Sequence, residues 1–228
     1  MIANYINPEI IIPNDAVGID AAIGDVQKLL GSKTNWIQKI FGRCTVQVEV
    51  MKQSTDKSTK AKDYVYPQVY TKTGEPLNMM MNDNLSSYCF FNVLDPGEFV
   101  DYDALDDQQY LKRDVSIIFW MNCEKIAPGT KKPLNEELII SVVRALKNYQ
   151  PFEFTNVYET YKKIFEGFTI DENLRQYMKF PFSAFRIDGE LSFPLFAENC
   201  EPIVVSPPTN GIVASNPNEF TFTPSEAI

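Results

Sequence analysis

Over residues 114–122 polar and apolar positions do not alternate. Ile117, Ile118, Phe119 and Trp120 follow one another without a polar break, which predicts a strand covered on both faces and central in its sheet. A Pro-, Gly- and Lys-rich turn follows, and then Leu138, Ile139, Val142, Val143 and Leu146 recur at the spacing of one helical stripe. Asn135 is the expected N-cap, Glu136 and Glu137 occupy the first turn where the helix dipole favours negative charge, and Leu134 is placed to staple against Ile139. The nucleus of the fold is thus expected to be a strand followed by a helix packed on its sheet.

Upstream, Ile10, Ile11 and Ile12 lie between Pro8 and Pro13, which suits an extended arm over residues 1–14. Residues 20–30 carry Ala22, Ile23, Val26, Leu29 and Leu30 on one helical face, with Gly31 as a stop. A short helix is expected over 35–41, holding Trp36, Ile37, Ile40 and Phe41 before Gly42. In 45–51, Val46, Val48 and Val50 alternate with Thr45, Gln47 and Glu49, the pattern of a strand with one wet face. Its hairpin partner is 64–70, demoted to an edge by Pro67, with a long polar tip over residues 53–63. A strand at 85–94 ends at Asp95-Pro96-Gly97, and the acidic 98–109 reads as a loop or short helix.

Downstream, Pro151 stops the helix, 152–155 is a short strand, and Val157, Tyr161, Ile164, Phe165 and Phe168 have helical spacing. A polar connection over 169–179 follows. Over 182–193, Phe185, Ile187, Gly189, Leu191 and Phe193 alternate with Arg186, Asp188, Glu190 and Ser192, an antiparallel strand with one solvated face. Beyond 196, Pro202, Pro207, Pro208, Pro217 and Pro224 argue against a helix and leave Ile203, Val204, Val205, Phe220 and Phe222 as apolar islands. Such a segment buries little on its own chain, so it is either disordered or laid on another surface. The pattern predicts an α+β protein: a mostly antiparallel sheet with helices on one face, a single domain over 15–200, and extended arms at 1–14 and 201–228.

Composition acts mainly by exclusion. The chain of 228 residues has no histidine, which removes Ser-His-Asp and Cys-His nucleophile systems and every His-containing metal motif. Apolar residues make up 44%, enough for a sizeable core. No apolar run is long enough to span a bilayer and no charged-then-apolar leader follows Met1, so neither a membrane segment nor a secretory signal is expected. A formal charge of −9 argues against a general phosphate-binding surface, and Lys52, Lys57, Lys60 and Lys62 read as a solvated hairpin loop. Cys44, Cys89, Cys123 and Cys200 include no Cys-x-x-Cys pair and read as reduced, unpaired residues.

Candidate motifs are few. Gly129-Thr130-Lys131 lacks the preceding glycine of a phosphate loop, no Gly-x-Gly-x-x-Gly exists, and Ser54-Thr55-Asp56-Lys57 matches Ser-x-x-Lys only in a polar loop. No cofactor is expected. Tyr158, Tyr161, Lys162, Lys163 and Phe165 interleave as a base-stacking platform would, although an ordinary amphipathic helix does the same. Asp101, Asp103, Asp106 and Asp107 form the one cluster dense enough for a hard cation. As a calcium loop it puts Asp106 where glycine is needed and Lys112 where a bidentate Glu belongs. A two-carboxylate magnesium site in a nuclease or hydrolase remains, against the plainer reading of a solvated loop or subunit contact.

The strand Asp114-Val-Ser-Ile-Ile-Phe-Trp-Met-Asn122, the helix through Leu146, the turn Phe165-Glu-Gly-Phe-Thr-Ile170 and the strand from Phe182 to Phe193 together resemble the small neck proteins of tailed bacteriophages. The likeness is to the tail-terminator and head-to-tail connector kind, over about residues 110–196, and rests on element order. It implies a virion structural protein without enzyme activity, closing into a homo-oligomeric ring of six or twelve copies between portal or head and tail. Extended arms would tie neighbours together, and an acidic lumen would pass double-stranded DNA without specific binding. It also implies contacts with portal, connector or tail proteins, no membrane association, and assembly in the bacterial host cytoplasm. The expected interface residues are Ile10, Ile11, Ile12, Ile203, Val204, Val205, Phe220 and Phe222, with the loop 53–63. The hairpin insertion and the length of the tail depart from a minimal terminator. A non-catalytic cytoplasmic adaptor is the other reading without chemistry.

Overall fold

The computed structural model of the chain describes residues 8–51, 62–79, 84–101, 109–169 and 174–195. Short strand β1 (Glu9–Ile10) precedes helix α1 (Ile19–Lys33), followed by β2 (Lys39–Arg43), β3 (Thr45–Met51), β4 (Lys62–Tyr70) and β5 (Pro76–Asn78). Then come the long strands β6 (Ser87–Asp101) and β7 (Gln109–Asn122), a helical turn α2 (Cys123–Ile126), and α3 (Asn135–Leu146). Strand β8 (Phe152–Tyr158), the turn α4 (Tyr161–Ile164), a 3-10 turn at Leu174–Met178 and β9 (Phe182–Pro194) complete it. Met1–Ala197 make one compact unit and Glu198–Ile228 another; the second lies outside the described residues.

Six strands form one sheet in the order β1-β2-β6-β7-β9-β8, and β3-β4-β5 form a smaller one. β1–β2 and β2–β6 are parallel, and the other pairs are antiparallel. The protein is therefore of the α+β class, with a mostly antiparallel sheet. Central β7 explains its own apolar run. Val115, Ile117, Phe119 and Met121 face a core shared with α1, α2 and α3, while Ile118 and Trp120 face a second core on the other side. Phe119 stacks on Phe185 at 4.7 Å, and Trp120 stacks on Tyr88 and Phe182, each at 5.3 Å. Such pairs contribute about 0.5–1.5 kcal/mol beyond the area they bury.

The two long helices cover one face of the sheet, as expected. The other face is covered in part by the small sheet, through Val69 and, just past β5, Met79 beside Tyr88 and Phe90, and by Ile164 and Phe165 around α4. A hairpin thus becomes a lid on the core.

Several local expectations are corrected. Residues 35–41 do not form a helix: Ile40 enters the first core and Phe41 the second, the alternation that a strand gives and a helix does not. Helical spacing from Val157 is replaced by strand through Tyr158, and only Tyr161–Ile164 turns as a helix. Pro67 lies in the middle strand of the small sheet, not at an edge. A strand residue's N–H and C=O point to the same side, and Pro67 O accepts from Met79 N just past the end of β5. The missing N–H therefore faces a place where β5 has already stopped.

Asp95-Pro96-Gly97 does not end its strand. It lies in a register shift between Val93 and Gly97, after which β6 runs on to Asp101. A Cβ at Gly97 would meet the Arg113 side chain, which lies across that position. Gly31 is not a helix stop either; α1 continues to Lys33, and the missing side chain makes room for Ile10 and Pro8. Asn135 makes no N-cap bond. Its side chain instead binds Glu159, Ala184 O and Ser183 Oγ, tying α3 to β9. The asparagine that does cap is Asn122, whose Oδ1 accepts from Glu124 N and Lys125 N at the start of α2.

Candidate functional site

The residues expected to act divide sharply. Ile10 packs against the first core and Ile11 is buried in the second, because β1 pairs with β2 along its own sheet; Ile12 is half-buried beside Gly24. From Pro8 onward this arm lies on its own chain. Ile203, Val204, Val205, Phe220 and Phe222 lie outside the described residues, as do 53–61 of the hairpin tip and Asp103, Asp106 and Asp107. Asp101 is the last residue of β6. Among the described residues, no group of three or more His, Cys, Asp or Glu is placed to hold a metal ion.

Cys44, Cys89 and Cys123 are free and buried. Burial pushes the Cys44 thiol up to about 12 and shifts the Cys89 and Cys123 thiols in the same direction. Without an accessible thiolate at neutral pH, these three act as small hydrophobes. Cys200 lies outside the described residues.

Two surface features stand out. The first is the outer half of the β6–β7 ribbon. Pairing of β2 with β6 ends at Arg43 and Phe91, closed by Cys44 N donating to Phe91 O at 2.7 Å. Among the described residues no strand continues along that side of 92–101, an open edge interrupted by the bulge between Val93 and Gly97. Phe99 on this edge is 75% exposed, opposite Leu111 in the register. Asp95 pairs with Arg113 at 2.6 Å across the ribbon.

The second feature is the uncovered part of the second sheet face. Asp114 lies opposite Glu190 and Ser116 opposite Asp188, with Asn156 of β8 beside Asp188, so five polar residues from three strands share one face. Arg186 anchors one end of this group. The residue is 6% exposed, and its guanidinium donates to both Asp188 oxygens at 2.5 and 2.8 Å and to Lys163 O at 3.1 Å, and lies 5.4 Å from the Tyr158 ring centroid. Lys112 pairs with Glu190; that bond, with Glu153 and Glu98 nearby, holds the ammonium above its usual range. Asp114 is exposed and has no ion-pair partner among the described residues.

Between these strands lies a cleft of about 270 Å³, lined by Leu94, Asp114, Ser116, Asn156, Asp188 and Glu190 among others. The Ser116 hydroxyl is buried and makes no hydrogen bond. Alternation over 182–193 exposes Asp188 and Glu190 as polar positions. That Asp114 and Ser116 meet them follows only from the pairing of two strands far apart in sequence, although their matching two-residue spacing was a usable signal. Compared with protein-family models, curated proteins and solved structures, the chain finds no match in any of the three.

Proposed function

We propose that this chain is a non-catalytic virion structural subunit that assembles with copies of itself, a ring-forming neck or tail-completion protein of the connector or tail-terminator kind. One observation carries the reading: the unfinished outer half of the main sheet. On either side of the bulge at Pro96, residues 92–101 offer backbone donors and acceptors that, among the described residues, no strand takes up, and Phe99 stands 75% exposed among them. An open edge with an apolar anchor is a surface for another chain, since unpaired backbone groups and exposed aromatic area both gain from being covered. If the covering surface lies elsewhere on an identical subunit, the contact is heterologous and closes into a ring when its rotation permits.

In this reading the net charge of −9 keeps the lumen from holding the phosphate backbone, so that double-stranded DNA passes without specific binding. Portal, connector or tail proteins sit above and below the ring. Native mass spectrometry of the full-length chain, of Phe99→Asp and of a chain ending at residue 199 tests it. A closed six- or twelve-subunit species is expected for the full-length chain, with less of it in both variants and an unchanged thermal midpoint for Phe99→Asp. A clean monomer of the full-length chain at every concentration sinks the self-closing ring.

A further inference from the structure

We propose that the cleft on the uncovered sheet face is a receptor for a basic side chain, a lysine or arginine presented by another protein chain. The charge on this face is unbalanced. Cross-strand pairing puts Glu98, Asp114, Glu153, Asp188 and Glu190 on the same side of the sheet. Against these five carboxylates stand Lys112 and Arg186. Arg186 is committed to Asp188 and Lys112 to Glu190, which leaves Asp114, at the cleft wall, with no described cation of its own.

The cleft also contains an unmet hydrogen-bonding group. Ser116 is 0% exposed and its hydroxyl finds no partner, a state that buried hydroxyls rarely keep because it forfeits the bonds they make in water. Ser116 lines the cleft, and a donor that displaces the atoms covering its oxygen meets an acceptor with no other bond to give up. Leu94 adds an apolar wall against which the methylene stem of a long cation can lie. Several N–H donors on an aliphatic stem, with a positive charge to meet Asp114 and Glu190, is the chemistry of lysine and arginine. A bare metal ion is disfavoured, because the carboxylates here are not grouped to ligate one and two of them already hold cations. Residues Leu94, Asp114, Thr155 and Asn156 around the cleft are exposed, so a loop carrying such a side chain has room to approach.

This goes beyond the assembly reading and is tested apart from it, with a probe that works on monomer and ring alike. A blocked pentapeptide Gly-Gly-Lys-Gly-photoleucine is cross-linked by light to the full-length chain and the adducts are located by peptide mapping, with Arg, norleucine and Glu versions in parallel. Adducts are expected at 112–116, 153–156 and 188–190 with the Lys and Arg peptides, and not with the norleucine or Glu peptides. Asp114→Asn should lower their yield roughly tenfold, the loss of one charge-assisted bond. Ser116→Ala should lower it as well, without lowering the thermal midpoint, since it removes an unpaired hydroxyl. Equal labelling by the norleucine peptide, or labelling scattered over the acidic surface and indifferent to Asp114→Asn, would overturn the proposal.

Discussion

Arg186 occupies a strand position that alternation assigns to solvent, yet only 6% of it is exposed. Its charge is tolerated because Asp188 meets it with two bonds and Lys163 O with a third, which satisfies most of what the guanidinium loses on leaving water. Removing one member of such a pair leaves the other buried and unmatched. Arg186→Ala is expected to destabilise the protein by about 3 kcal/mol in urea unfolding, whereas Arg186→Met combined with Asp188→Leu should cost far less. Equal losses for the single and double variants would show that the charge pairing is not the cause. Nothing in an Arg-x-Asp spacing on a strand separates this arrangement from two solvated charges. The difference comes from α4, which brings Ile164 and the Lys163 carbonyl over that face from a distant part of the chain.

The elements themselves were unevenly legible. Strand β7 was visible because two cores, one on each face, demand an unbroken apolar run, and β9 because Phe185, Ile187 and Leu191 alternate with charge. Strand β2 was not, since Trp36, Ile37, Ile40 and Phe41 are too few to separate a period of two from one of 3.6. The outer half of β6 was hidden by chemistry that serves a bulge as well as a turn. Gly189 is where close packing is easiest to test. A Cβ there would overlap the Phe152 ring and the Glu153 carbonyl, because β8 crosses β9 tightly just before its own bulge. Gly189→Ala is expected to cost about 1–3 kcal/mol as overpacking, read as a lower midpoint in urea with the slope unchanged. A midpoint equal to the parent's would mean that β8 can shift aside freely.

At the scale of the whole molecule, both cores hang from one main sheet, and the smaller sheet contributes Val69 to the second of them. That sheet was legible as a hairpin but not as a lid, because the surface it covers belongs to strands read elsewhere in the chain. Strands β2 and β3 are separated only by Cys44, whose N–H is bonded to Phe91 O and whose thiol lies 3.6 Å from Asn92 Oδ1. A single run of backbone is thus a member of both sheets, and neither can be peeled away without bending the other at that residue. The two sheets should then open as one cooperative unit. In native-state amide hydrogen exchange, Phe41 in β2 and Val69 in β4 should report the same opening free energy and the same sensitivity to denaturant; a lower value at Val69 alone would mean that the small sheet unzips by itself.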